Sequence, residues 1–206
     1  MAYRPQLASA LSGTSVNQLS YWRQSKNEKP PVLVPEVSAA RPILYSFRDV
    51  VALRALAFLR GQQSLQRIRQ ALGNLRNMGE VEHLSSYTLV SAGDSIVLRR
   101  NEDAVDLVRQ PGQMVLAPLV DIIAPFMNQA GKEVPHLLHP RPNLDVNIDI
   151  LSGYPVVAGT RVPYDDVAAL IADGLPAQHV SDYFPAVTTE GAIDASEFAR
   201  YVHSVA

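Results

Sequence analysis

Few residues in this 206-residue chain have the types and spacing that do chemistry, and most of those have a simpler explanation. There is no cysteine, which excludes disulfides, thiol catalysis and cysteine metal sites and fits a reducing cytoplasm. His136-Leu137-Leu138-His139 offers two imidazoles, but further ligands and the zinc-helix spacing are missing, so it reads as a surface or core pair. Gly153 and Gly159-Thr160 lack the spacing and the lysine of a phosphate loop. Asp165-Asp166 follows Pro163 and suits the positive end of a helix. No Ser–His–Asp arrangement can be inferred. The expectation is a protein with no catalytic residue, no metal and no cofactor, and not an enzyme.

What remains is charge. Residues 1–80 hold eleven Lys and Arg against four Asp and Glu, a balance of +7. Residues 81–206 hold seven against sixteen, a balance of −9. A basic half joined to an acidic half points to two different partners, one of them a polyanion; the alternative is segregation of solvated charges. Hydrophobic residues at 47% and charged residues at 18% are enough for a packed globular core. The opening MAYRPQLASALSG lacks the apolar stretch of a secretory signal, and no run reaches membrane-spanning length. A soluble, cytoplasmic chain without membrane contact is expected.

The elements that must position these charges follow from periodicity. Leu7, Ala8 and Leu11 share one face of a short helix over 4–11. Ser12-Gly13-Thr14 is a turn, with Gly13 suited to positive φ. Ser15 caps a second helix over 15–24 containing Val16, Leu19, Tyr21 and Trp22. Trp22 reads as core, and Tyr21 reads equally as core or surface. Two short helices across a glycine turn make a helix-turn-helix pattern. Pro30, Pro31, Pro35 and Pro42 make 26–45 an extended loop or ribbon. Ser46 with Asp49 forms a capping box for a helix that buries Phe47, Val50, Leu53 and Ala57 and ends at Gly61. Ser64 caps a further helix carrying Leu65, Ile68, Leu72 and Leu75, ended by Gly79. Arg54, Arg60, Arg67, Arg69 and Arg76 are expected on the polar faces of these two helices.

Beyond residue 84 the pattern turns to strands. Thr88–Val90 and Ile96–Leu98 flank a Gly93-Asp94 turn, and Pro111-Gly112 marks another turn before Met114–Leu116. Leu119–Phe126 reads as a helical turn or a buried strand. The stretch 129–141, with its glycine and prolines, reads as a linker with a short extended piece. Leu144–Ile150 then forms a strand, 153–155 a turn, and Val156-Val157 the return. Three helices follow, with Pro163 at the first helical position, Pro176 opening the second, and Thr188 or Thr189 capping the third.

The motifs Leu7-Ala8, Ser12-Gly13-Thr14-Ser15-Val16, Tyr21-Trp22-Arg23, Arg41…Tyr45 and Ser46-Phe47-Arg48-Asp49 resemble the opening of the MerR family of transcription regulators over about residues 3–79. The resemblance implies that Ser15, Asn17, Gln18, Tyr21 and Arg23 face DNA, with Arg41 and Tyr45 on the wing. Ser20 stands where that family usually has an arginine, which weakens the phosphate grip or shifts it to Arg23. The residue types suit the task, because Asn and Gln pair with adenine while Arg serves phosphate or guanine. Cysteine-based sensing is excluded.

A second resemblance lies in Pro155-Val156-Val157-Ala158-Gly159-Thr160-Arg161-Val162-Pro163, Gly174…Val180 and Tyr183-Phe184-Pro185. Together these are similar to a small domain of unknown function found in bacterial antitoxins. Gly159 would have a backbone role, Pro163 would start a helix, and Thr160 belongs to the same signature. Arg161 would pair with a nearby acid or touch a partner. The two resemblances together imply a VapB-type antitoxin, partnered with a PIN-domain ribonuclease toxin and repressing its own promoter DNA. The alternative is a MerR-like transcription regulator without a toxin.

The expected architecture is mainly α with small β elements. A winged helix-turn-helix DNA-binding domain would occupy 1–80, a strand-rich connector and linker 81–143, and a hairpin plus three-helix, winged-helix-like antitoxin-type domain 144–206. A homodimer is expected, because such modules bind paired half-sites. The apolar stretch 84–126 is its candidate interface.

Overall fold

The structure is a computed structural model that describes residues 1–25, 30–78, 88–92, 95–100, 103–108 and 122–205. It is mainly helical, with small antiparallel sheets. Helices α1 (Pro5–Ser12), α2 (Val16–Trp22), α3 (Phe47–Gln62) and α4 (Leu65–Asn77) come first. A three-stranded sheet follows, of β1 (Thr88–Ala92), β2 (Ser95–Arg100) and β3 (Asp103–Asp106) in that order. Two short hairpins come next: β4 (Phe126–Met127) with β5 (Glu133–Val134), and β6 (Leu144–Asp145) with β7 (Val156–Val157). Helices α5 (Tyr164–Ala172) and α6 (Thr189–Ser204) close the described chain, with a 3₁₀ segment Ala177–Asp182 between them.

Local chemistry sets most boundaries. Ser15 and Ser46 each form a reciprocal capping box, with Gln18 and Asp49 as third-position partners, so two otherwise orphaned N–H groups are satisfied at each helix start. Thr188 accepts from the Gly191 N–H at 3.0 Å and starts α6. Gly13 ends α1 at φ 76° and returns its N–H to Ser9 O at 2.9 Å. A Cβ at Gly13 would also collide with Val134, so glycine is required there on two counts.

Several boundaries differ from expectation. Helix α3 runs past Gly61 to Gln62; Gly61 carries no positive φ, so it is an ordinary helical residue. The expected strand 144–150 shortens to two residues, because Asn147 Oδ1 accepts from the Asp149 N–H at 3.0 Å and starts a turn. The segment after Pro176 is 3₁₀ rather than α. Pro163 precedes α5 as its N-cap, not as its first residue. Strand β3 was unforeseen. The Gly79 stop, the Gly93-Asp94 and Pro111-Gly112 turns, and Met114–Leu116 lie outside the described residues, as does part of Leu119–Phe126.

The largest correction concerns Arg54, expected on a polar face and found fully buried at 0% exposure. Its Nη1 donates to Leu11 O at 2.6 Å, and its Nη2 to Pro135 O at 2.7 Å, Ala124 O at 2.8 Å and Ile123 O at 3.2 Å. Its Nε donates to Ile122 O. The guanidinium also lies 5.0 Å from the centre of the Phe126 ring. A planar fork with five N–H donors over three nitrogens reaches carbonyls from several directions, more than the three donors of an ammonium on a single nitrogen can. The stretch expected to be a linker with a short extended piece carries that piece as β5 and is anchored to the core at Pro135, with Val134 and Leu137 buried and residues 129–133 otherwise exposed.

The halves share one core. The described sheet residues Leu89, Ile96 and Leu98, with Leu107 beyond β3, are buried. Asn74 and Gln70 of α4 donate to Leu107 O and Val108 O at 2.7 and 3.2 Å. Four apolar residues of the stretch expected to form a dimer interface, Leu89, Ile96, Leu98 and Leu107, are thus buried within the chain. An aromatic seam joins the chain ends: Tyr3 to Tyr154 (5.9 Å between ring centres), Tyr154 to Tyr164 (6.0 Å), Tyr164 to Phe198 (4.9 Å) and Phe198 to Tyr201 (6.2 Å). The Tyr3 hydroxyl donates to Gly153 O. Gly153 has φ 81°, and a Cβ there would meet Phe47.

Two predictions follow from this core. Arg54→Met removes the donors and strands several buried carbonyls, so urea denaturation should show a loss of at least about 3 kcal/mol. Arg54→Lys should rescue little of it, and a Met variant within ~1 kcal/mol of wild type would contradict the hub role. Burial also holds the Tyr3, Tyr154 and Tyr164 phenols well above their ordinary range and raises Tyr45 to about 12. For Tyr154 the neighbouring Tyr164 adds to burial. The folded state keeps these protons longer than the unfolded chain. Their stabilisation is complete below about pH 10 and lost as pH climbs through the folded values. Urea midpoints should therefore hold steady up to about pH 9 and fall above about pH 10, less steeply in Tyr164→Phe.

Candidate nucleic-acid interface

Helices α1 and α2 meet across Gly13–Ser15. Leu19 and Trp22 turn into the core at 2% exposure each. The same helix therefore presents Asn17, Gln18 and Tyr21 on its outer side. Ser15 and Asn17 are exposed, and Gln18 and Arg23 are half-buried. The Ser15 Oγ accepts from the Gln18 N–H at 3.2 Å, and the Gln18 Oε1 accepts from the Ser15 N–H at 2.9 Å. Both side chains are thus oriented by the cap. Tyr21 is 38% exposed, and the Arg69 guanidinium of α4 sits 5.4 Å from its ring centre, a cation–π distance. Trp22 O accepts from the Val32 N–H at 2.7 Å, which ties the proline-rich segment to the end of α2.

That segment brings only part of the expected wing to the surface. Arg41 is exposed. Tyr45 is not: it exchanges backbone hydrogen bonds with Tyr3 at 2.9 Å in each direction, and its side chain is 1% exposed. The reading of Tyr45 as a DNA contact is corrected, because pairing with the chain's first residues places it beneath the surface. Arg23 bears on Tyr45, lowering the phenol's pKa against the larger effect of burial.

At the other end of the chain the Gly159–Pro163 signature builds a tight loop. Gly159 takes φ 72°. The Thr160 Oγ1 donates to Val157 O at 2.8 Å and accepts from the Val162 N–H at 3.0 Å. Val157 N–H donates to Val162 O at 2.9 Å, and Pro163 bridges Val156. These residues shape the backbone ahead of α5. Arg161 is exposed and forms no ion pair among the described residues.

Sequence reasoning missed a groove beside α2. It holds about 430 Å³ between the Gly13–Ser15 turn and the β4–β5 hairpin, with Arg60 and Lys132 on its walls. Asn128 Nδ2 donates to Gly13 O at 3.0 Å and locks the hairpin to the turn. Read as a linker, 129–141 hid this; Asn128 and Gly131-Lys132 after the Phe126-Met127 pair were the available turn signal. His136 and His139 stack at 5.4 Å, but no group of side chains that could hold a metal occurs among the described residues. No helix among the described residues is long and apolar enough to cross a membrane.

The C-terminal loop and helices coincide with a known sequence family. Residues 145–199 match the family described as "Protein of unknown function (DUF433)". The chain is also 38% identical over 78 residues to "Uncharacterized protein y4eO" of Sinorhizobium fredii (strain NBRC 101917 / NGR234), covering 38% of this chain and 35% of that protein. It thus spans about a third of the length of the curated relative it matches. Among solved structures, the "X-ray crystal structure of Rv2018 from Mycobacterium tuberculosis" aligns over 94% of this chain and 96% of its own, at 17% identity and TM-score 0.49. The DUF433 match includes Gly159, Thr160, Arg161 and Pro163.

The placement of the α2 residues separates two variants. Asn17→Ala, on the outer face, should weaken binding to a recognised duplex by ~1–3 kcal/mol, whereas Tyr45→Phe, in the core, should leave it within about twofold. Mobility-shift titrations would read both, and equal losses would place Tyr45 on the DNA after all.

Proposed function

We propose that this chain is a DNA-binding antitoxin of the VapB type, which neutralises a PIN-domain ribonuclease toxin and represses its own promoter. The carrying observation is the outer face of α2. Asn17, Gln18 and Tyr21 stand there on a capped helix directly after a three-residue turn, and the helix belongs to the basic half of the chain. Amide side chains on a helix can read base edges in a major groove, and Arg23 and Arg41 supply phosphate contacts. The resemblance to MerR regulators supports the same orientation. The DUF433 match lies within the block whose signature is similar to that of an antitoxin domain. A ribonuclease that holds RNA carries basic surface, which the acidic half would complement, raising the association rate and favouring the right partner. The protein works as a homodimer in this reading, because one short helix-turn-helix covers only a half-site.

The test uses the full-length chain, because both halves share one core. Wild-type protein should shift the duplex upstream of its own gene, with affinity falling steeply as salt rises. Arg23→Ala with Arg41→Ala should cut that affinity by ~1–3 kcal/mol while still inhibiting the ribonuclease encoded beside it. DNA binding without any inhibition of that neighbour would favour a transcription regulator with no toxin. Failure to shift any duplex would end the DNA reading.

A further inference from the structure

We propose that the β4–β5 hairpin is a second clamp on DNA, in which Lys132 and Arg60 hold a backbone phosphodiester in the groove beside α2. The inference rests on the DNA-binding reading above and adds a contact outside the helix-turn-helix. The groove is lined by Ser15 and Gln18 from the start of α2, by Gln129 and Lys132 from the hairpin, and by Arg60, which bonds Gln129. No carboxylate lines it among the described residues, in a chain where acids outnumber bases by twenty to eighteen. Two cations among hydroxyls and amides, with no carboxylate among the described lining residues, suit an anion rich in acceptor oxygens.

The Arg60 guanidinium and the backbone that carries Lys132 are also held in place. Asn128 accepts from the Ala130 and Lys132 N–H groups through one oxygen, at 3.0 Å each, while its nitrogen donates to Gly13 O. Gly131 completes the reversal at φ 71°. Val134 packs under Gly13, which places the hairpin directly against the turn that opens α2. Arg60 donates to Gln63 O at 2.6 Å and to Gln129 Oε1 at 3.0 Å. These two bonds aim the guanidinium and leave further N–H donors of the five for an incoming oxygen. Lys132 is exposed and forms no ion pair among the described residues. A phosphate gripped here would fix how deeply and at what angle α2 enters the duplex, which is the role of backbone contacts.

The experiment measures affinity against salt for two duplexes of about three helical turns, one from upstream of the gene and one of mixed sequence. Lys132→Gln should weaken both by about three- to tenfold and reduce the slope of log affinity on log salt by about one, because a phosphate contact carries no sequence information. Asn17→Ala should instead weaken the upstream duplex selectively. As a second readout, the chain has no native cysteine, so Ala130→Cys gives a single attachment point for iron–EDTA. Cleavage should fall on one narrow stretch of backbone beside the α2 footprint. Unchanged affinity and slope in Lys132→Gln, with Asn17→Ala still selective, would overturn the clamp and leave the DNA reading standing, as would the absence of tethered cleavage. If wild type binds neither duplex, both fall. Calorimetric binding of inorganic phosphate that Lys132→Gln abolishes, without any change in DNA affinity, would reassign the groove to a small anion and also overturn the clamp.

Discussion

A positive charge with no access to water governs the middle of this molecule. The Arg54 guanidinium is surrounded by backbone carbonyls from three places in the chain: the end of α1, the stretch 122–124, and Pro135. Burying a guanidinium is costly unless nearly every N–H finds an acceptor. Burying irregular backbone is costly unless its carbonyls find donors. Each requirement answers the other here. The carbonyls of 122–124 and Pro135 can turn inward because Arg54 is there, and Arg54 can lie there because they supply its acceptors.

The candidate interface depends on this arrangement. Arg54 fixes 122–124 and Pro135, and these flank the β4–β5 hairpin on both sides. The hairpin therefore has a set position against α1, and Asn128 meets Gly13 at the turn opening α2. The groove beside α2 is a product of the buried arginine as much as of the residues lining it. The aromatic seam from Tyr3 to Tyr201 does the same for the chain ends, bracing α1 against α6. Tyr201 adds a hydroxyl directed at Ala10 O and Glu133 O. The α1–α2 pair consequently sits on the C-terminal block rather than on a tether.

These contacts change the meaning of the charge split. Of the eleven cations in residues 1–80, Arg54 is buried, and Arg48 pairs with Glu36 at 3.3 Å. The positive charge left at the surface is smaller than the count implies, and position matters more than number. Arg69, half-buried, stands over the Tyr21 ring, while Lys132, from the acidic half, stands beside α2. A division of labour by sequence halves is therefore only approximate at the surface.

Short-range chemistry was legible in the sequence. Ser15, Ser46 and Thr188 cap helices, Gly13 turns, and Trp22, Leu53 and Ile68 lie inside, because a cap or a helical repeat depends on neighbours within a few residues. The outer face of α2 followed from the same repeat. Arg54 shows where that reasoning ends. Its spacing matches the other arginines of α3 and α4, and nothing local says that carbonyls nearly seventy residues away will enclose it. Tyr45 reads as wing until its pairing with Tyr3 puts it in the core. Stretch 129–141 reads as linker, because glycine and proline mark irregular backbone without saying whether it is solvated or buried. Local hydrogen bonding determined the elements; which polar groups face water was decided only by the long-range contacts that close the core.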